Sequence, residues 1–413
     1  MAAVVALCVV VAAACGPSSP LATPAATSAT PSPTQPAATA KAKAIDRRRL
    51  PVRLEIPGAH DPQATPAIAP ANINFGEYLH VVDLATGTAR LLRDSQPVHK
   101  RPDYQRLELS PDHGYLAYVA YDHYVVIIEI ATGAERAFPL PPSPPAKYRC
   151  TLENKRVAWA PDSTRLAIEV GTDMLMLDAA SGATRQMFRA DPSYGEVCGL
   201  SWSPNGDWIV FDDGKGLARI RPDGSGQLSV LKYGGLSNLA WSPDSTTFVF
   251  LAATPADYVH AAPFVSTIDL QPRALPFRGR ELAWSNDGDR IVYLHSVHGA
   301  EFNWKDYIET VDAGGIDQET LLTYQSRERA LVDAPFWSPD DAFIAYPTRQ
   351  LRPDHEHADI DIINTISGEA LPAVDGPGSF RNDKGLGGDC RVLPLGWIST
   401  TSLVTLTECS QTE

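Results

Sequence analysis

The chain has 413 residues and a formal net charge of −14, from 35 Lys and Arg against 49 Asp and Glu. Such a surface repels phosphate backbones, and no basic stripe with interleaved aromatics interrupts it, so nucleic-acid binding is disfavoured.

The chain opens on "MAAVVALCVVVAAAC", an apolar run closing on small residues. A bilayer-spanning helix needs roughly 20 apolar residues, so this shorter run reads as a signal peptide over 1–14. The stretch "AAACG", Ala12 to Gly16, resembles the lipobox of bacterial lipoproteins, which implies lipidation at Cys15 and a chain held at the cell membrane outside the cytoplasm. Two departures stand against it: Ala12 replaces the usual Leu, and no Lys or Arg precedes the apolar run, as when a start codon lies upstream. Ordinary cleavage after Ala14, giving a secreted chain, is the alternative. Residues 16–44 form a Pro-, Ala-, Ser- and Thr-rich tether without aromatics, which cannot bury enough surface to fold. It extends at about 3 Å per residue where polyproline-like. An N-terminal extension, 45–73, follows, with "RRR" at 47–49 as a basic collar, and it either adds a strand or drapes over one face.

From residue 74 onward one unit repeats. "LELSPDHGYLAY" (107–118), "VAWAPDSTRLAI" (157–168), "LSWSPNGDWIVF" (200–211), "LAWSPDSTTFVF" (239–250), "LAWSNDGDRIVY" (282–293) and "PFWSPDDAFIAY" (335–346) are strand–turn–strand copies, with a degenerate seventh in "LGWISTTSLVTL" (395–406). The anchors Leu109, Trp159, Trp202, Trp241, Trp284, Trp337 and Trp397 are spaced by 50, 43, 39, 43, 53 and 60 residues. Periods of roughly 40–50 residues made of short strands predict propeller blades. Seven second hairpins, from "LHVVDLATGTARLL" (79–92) to "IDIINTISGEAL" (360–371), give the same count. The first of these has no Trp hairpin before it and the last Trp hairpin has no partner after it. The expectation is therefore an all-β, seven-bladed propeller over 74–413, closed by a blade shared between the two ends, with six or eight blades as alternatives.

In the turns, Pro presets φ and Asp or Asn followed by Gly completes the reversal. Each Trp shares a strand face with the apolar residue two before it, and that face is expected to pack on the next blade. Small residues before the Trp, such as Ala158, Ser201, Ala240, Ala283 and Gly396, are expected where inner strands crowd the axis. Of the six cysteines, Cys150, Cys198, Cys390 and Cys409 are left after the signal and the lipidated position. Cys390 and Cys409 face one another across the last hairpin, and Cys150 and Cys198 precede adjacent anchors. The expected pairs are Cys150–Cys198 and Cys390–Cys409 in an oxidising compartment, with four buried thiols as the alternative.

The pattern apolar-x-Trp-Ser-Pro-Asp/Asn-Gly with "DLATG"-type turns resembles the TolB-like, WD-repeat-like propeller repeats of bacterial envelope proteins, over about 74–409. Propellers of this kind serve as docking platforms, as gating domains of prolyl oligopeptidase-type peptidases, and as lyases with a metal in the channel. There is no Gly-x-Ser-x-Gly elbow and no added α/β domain, which excludes a serine peptidase of that type. Residues 16–73 hold no counterpart of the separate N-terminal domain of TolB.

Two surfaces are candidates for chemistry. The channel mouth, counted three residues before each anchor, includes Arg106, Arg156, Asn238 and Glu281, with Glu108 and Arg280 beside them. Arg106 and Arg156 on adjacent blades suit a carboxylate. The polar stretch 352–361 carries Asp354, His355, His357 and Asp359, and 293–304 carries His295, His298 and Glu301. Read as loops on one face, they suit a divalent metal. The expected function is a non-catalytic, monomeric binding module for a protein or glycan partner at the cell envelope. The alternative is a metal-assisted polysaccharide lyase or hydrolase, and no cofactor is expected beyond that metal.

Overall fold

The computed structural model describes residues 44–54, 77–93, 107–120, 124–142, 156–230, 234–254, 257–298, 304–325, 329–331, 334–351, 356–376, 379–381 and 387–411. Seven antiparallel blades form a ring. Blades 1 to 5 are four-stranded sheets over 108–139, 157–189, 198–230, 234–274 and 280–325. Blade 6 covers 336–375, and blade 7 takes its two inner strands, Gly387–Ser399 and Ser402–Gln411, from the C-terminal end. Its two outer strands, Glu77–Asp83 and Thr88–Arg93, come from the N-terminal side. The join is a continuous antiparallel register from Glu77↔Glu408 to Asp83↔Ser402, so neither end leaves an open edge at the closure. The N-terminal extension does add a strand: Val52 and Arg53 pair in parallel with Val374 and Asp375 on the outer edge of blade 6. Among the described residues no helix is long and apolar enough to cross a membrane.

The core is not central. It is divided into seven apolar clusters, one in each seam between neighbouring blades. Inner strands are buried on both faces, as at Tyr115–Ala120 and Asp173–Asp178, whereas the outer strand Thr184–Arg189 is largely exposed. This explains near-continuous apolar runs in the middle of each repeat and polar ones at its end.

The anchor face packs on the preceding blade, which corrects the expectation. Val157 and Trp159 lie against Ala117, Val119, Val125 and Ile127 of blade 1, and Leu200 and Trp202 against blade 2. The reason is a hydrogen bond that the repeat pattern does not reveal. Trp241 Nε1 donates to the Ser201 carbonyl at 3.2 Å, Trp284 to Ala240 at 3.2 Å, Trp337 to Ala283 at 3.2 Å and Trp397 to Phe336 at 3.0 Å. Trp159 does the same to Glu108 at 3.1 Å. Each acceptor is the residue just before the previous anchor. At most anchors that position is small, and the next anchor lies close over it: a Cβ on Gly396 would sit 3.2 Å from Leu109 Cδ2. Trp202 alone turns its indole to Gly206 of its own turn, at 3.2 Å.

The Ser-Pro turns are built on carboxylates. Ser242 and Ser285 hydroxyls donate at 2.6 Å to Asp244 and Asp287, which also accept from the backbone N–H groups two residues on. The serine hydroxyls and those amides hold both carboxyls below their ordinary range. The residue after the Asp or Asn is left-handed in all six well-formed copies, but it is Gly only at 206 and 288; His113, Ser163, Ser245 and Asp341 occupy the others. Three of these reach the neighbouring turn: Asp112 N–H donates to Ser163 Oγ, Asn205 N–H to Ser245 Oγ, and Asn286 N–H to Asp341 Oδ1.

Cys390 and Cys409 form a disulfide across the inner pair of blade 7. Cys198 is also disulfide-bonded; Cys150 lies outside the described residues. Bridging residues 19 apart restricts the unfolded chain by about 3 kcal/mol. Replacing Cys390 and Cys409 by Ala is therefore expected to cost roughly that much, read as a lowered denaturation midpoint under non-reducing conditions. Trp284→Phe removes the indole donor and orphans the Ala240 carbonyl. It is expected to cost about 1–2 kcal/mol, more than Trp202→Phe, whose indole makes no bond to the preceding blade.

Candidate functional site

Within each blade the second strand runs away from the Ser-Pro turn and returns as the third strand, so these hairpins rise on the opposite face of the ring. Their lengths differ. In blades 1 and 2 the paired strands have 6 residues each, and in blade 3 they have 4. In blades 5 and 6 all four are 9 residues long, Arg290–His298 with Trp304–Asp312 and Phe343–Leu351 with Glu356–Asn364. Blade 4 pairs Thr247–Thr254 with the 11-residue Asp257–Thr267, and blade 7 begins with a 13-residue strand. Three further residues add about 10 Å of height. Arg329–Leu331 and Ser379–Arg381 thicken the same side by pairing with blades 6 and 7. Among the described residues, the strands of blades 4 to 7 form a wall on this face that rises above the strands of blades 1 to 3.

The stretches 293–304 and 352–361, expected as loops, are mostly strand. His295 pairs with Tyr307 and His298 with Trp304; His357 pairs with Gln350 and Asp359 with Thr348. Alternation then decides where each side chain goes. In the seam between blades 4 and 5, His295 Nδ1 lies 3.3 Å from Glu309 Oε2, and Thr320 Oγ1 donates to the other carboxylate oxygen at 3.1 Å. Burial and that carboxylate push the Tyr293 phenol well above its ordinary range. In the seam between blades 5 and 6, Ser296 Oγ donates to Asp306 at 2.6 Å, and the Tyr324 hydroxyl donates to Asp361 at 3.1 Å and lies 3.1 Å from the Tyr346 hydroxyl. Asp359 accepts the Gly376 N–H at 3.2 Å. Asp306, Asp359 and Asp361 are all buried. Among the described residues no group of three His, Cys, Asp or Glu side chains could hold a metal ion. Asp354, His355 and Glu301 lie outside the described residues.

In blades 3, 4 and 5 the column three before the anchor is a β-bulge. The register slips between Cys198 and Ser201, Ser237 and Ala240, and Arg280 and Ala283. Gly199, Asn238 and Glu281 sit at the slip with φ of 62°, 54° and 54°. A bulge re-aims its side chain. Asn238 Oδ1 accepts the Leu282 N–H of the next blade. Arg156 lies 3.4 Å from Glu169 of its own blade, the Glu108 carbonyl receives the Trp159 indole, and Arg280 opens the inner strand of blade 5. Arg106 lies outside the described residues. Gly199 and Asn238 are residue types that tolerate this conformation; Glu281 gives no such signal.

Asp212, at the end of the second strand of blade 3, was not singled out in the sequence. It accepts the Gly214 N–H at 2.9 Å and reaches Leu236 N–H of blade 4 at 3.4 Å. Burial, with the neighbouring Asp213 carboxylate adding, pushes its carboxyl from 3.8 up to about 7. A folded pKa above the unfolded one favours folding fully below about pH 4, and that benefit is lost as pH rises through 7; the loss is on the order of 4 kcal/mol. Asp212→Asn removes it. Thermal melts at pH 5 and pH 8 are expected to show the variant gaining on the natural protein at the higher pH.

No protein-family model matches the chain. Among solved structures, the oligogalacturonate lyase of Vibrio parahaemolyticus is similar at a TM-score of 0.54 and 10% identity, over 81% of this chain and 97% of that one. An oligogalacturonate lyase in complex with manganese gives 0.52 and 14%, over 81% and 96%. A protein assigned as TolB in Agrobacterium tumefaciens gives 0.45 and 13%, over 81% and 99%. Likeness at these identities speaks to architecture alone, and the architecture is a seven-bladed propeller.

Proposed function

We propose that this chain is a binding module of the cell envelope that receives a protein or glycan partner on the raised wall of one propeller face. The observation that carries the reading is the height of the described strands of blades 4 to 7, which exceeds that of blades 1 to 3 on a closed ring. A rigid scaffold with a graded rim offers a shaped surface at little ordering cost. Lipidation at Cys15, with the Pro-rich tether after it, holds the module outside the cytoplasm. Disulfide bonds at Cys390–Cys409 and at Cys198 suit an oxidising compartment.

Val297 stands on the raised hairpin of blade 5 and is 44% exposed, unusual for a large apolar side chain in this protein. Pull-down from solubilised envelopes with the full chain tagged at Glu413 is expected to enrich one partner near stoichiometry. Val297→Glu is expected to cut that enrichment roughly tenfold without moving the melting temperature, as for a central contact residue. Enrichment unchanged by Val297→Glu and by a second charge on the same wall, Tyr307→Glu, would place the partner elsewhere and overturn the assignment of the face.

A further inference from the structure

On the face opposite the wall, two isoleucines stand in solvent. Ile316 is 82% exposed and Ile366 is 92% exposed, while no other large apolar side chain among the described residues reaches half. They occupy the turns between the third and fourth strands of blades 5 and 6, equivalent positions on adjacent blades. Single exposed apolar residues are ordinary; two at the tips of neighbouring turns on one rim are a surface.

The Arg47–Arg49 turn lies on the same arc. Arg47 pairs with Glu369 of the blade 6 turn at 2.8 Å, and Arg49 donates to the Thr86 carbonyl of the blade 7 turn at 2.8 Å. Asp46 accepts from Arg48 at 3.0 Å and from Arg49 at 3.2 Å, which fixes the turn, while the Arg48 side chain stays 88% exposed. Ile45, Leu50, Val52 and Leu54 pack into the seam between blades 6 and 7 and pin this segment to the ring. The described chain thus begins, at residue 44, on the arc that carries the isoleucines, and the tether with its anchoring Cys15 immediately precedes it in sequence.

We infer that the arc of blades 5 to 7 bearing Ile316, Ile366 and the Arg47–Arg49 turn rests on the lipid bilayer. The inference rests on the anchored reading of Cys15. Twenty-nine residues, 16–44, lie between Cys15 and the ring, so an anchor at Cys15 does not by itself choose which surface of the ring meets the bilayer. The isoleucines enter the boundary between headgroups and acyl chains, and Arg48 lies at headgroup phosphates. The chain's −14 charge opposes an anionic surface, so the apolar tips supply the attachment and the arginines its orientation. Asp317 and Glu319 beside Ile316 are engaged by Arg290 at 3.2 and 3.7 Å. Docking on this side turns the raised wall outward.

The test places a fluorophore at each tip. Full-length protein carrying Ile316→Trp or Ile366→Trp is reconstituted into phosphatidylcholine–phosphatidylglycerol vesicles whose acyl chains are brominated, a short-range quencher. Tyr194→Trp, on the opposite face, is the control, and the parent chain supplies the emission of the eight native Trp. The expected result is loss of most of the added emission at 316 and 366 and none at 194. Equal quenching at all three positions, or none, overturns the inference. The mass of the N-terminal peptide reports separately on Cys15. If that residue carries no lipid, its thiol is coupled to a maleimide lipid and the same comparison is made, so the anchor can fail without deciding the rim.

Discussion

Five of the seven blades are registered on the one before by the indole N–H of the anchor Trp, aimed at a main-chain carbonyl across the seam. A carbonyl in an inner strand is a fixed point, and a bond to it sets both the height and the rotation of the next blade. Apolar contact alone would hold the blades together but would allow them to slide, because it is not directional. The bond also explains the small residue ahead of most anchors, which must let the following indole lie over it. Two places depart from the rule. Trp202 spends its donor on its own turn, and Leu109 has none to give. At Leu109 the neighbour is the shared blade, whose position is already fixed by a strand ladder from Glu77 to Asp83.

With the blades held in this way, polar groups can be buried in the seams. Asp212 binds amides on either side of its seam, Asn238 crosses to Leu282, and Tyr324 of blade 5 reaches Asp361 of blade 6. Buried carboxylates are costly unless satisfied, and here they are met by backbone N–H groups and hydroxyls. They lie near the face on which the long hairpins stand. The rigidity of the raised wall therefore comes from the seams below it as well as from its own strands.

Much of this was legible in the residues. The Trp column and the turn signals define seven units, and the unmatched hairpins at the two ends define the closure, because a repeat with an odd end has to be completed by something. The direction of packing was not legible, since a strand face looks the same whether its partner precedes or follows. The stretches 293–304 and 352–361 read as loops because their described strands carry polar side chains that are held by hydrogen bonds in the seams, and a buried polar residue does not show in an apolar alternation. The channel-mouth column depends on a feature the sequence does not display. Counting back from the anchor assumes an unbroken register, and the bulges at Gly199, Asn238 and Glu281 break it. Asp212 was hidden because one Asp beside another in a Gly-rich turn is commonplace, and only burial makes it unusual.

The shared blade also imposes an order of events on biogenesis. Strands Glu77–Asp83 and Thr88–Arg93 are made before blades 1 to 6, yet their hydrogen-bonding partner, Ser402–Gln411, is made only after them. Until then one edge of the ring has no ladder to complete, and pairing across so long a stretch of chain is slow. The hairpin of Gly387–Ser399 with Ser402–Gln411 is local and can be oxidised at Cys390 and Cys409 as soon as it is delivered. It then docks as a preformed two-stranded clasp, and without it the ring is left with an unpaired strand edge open to pairing with another chain.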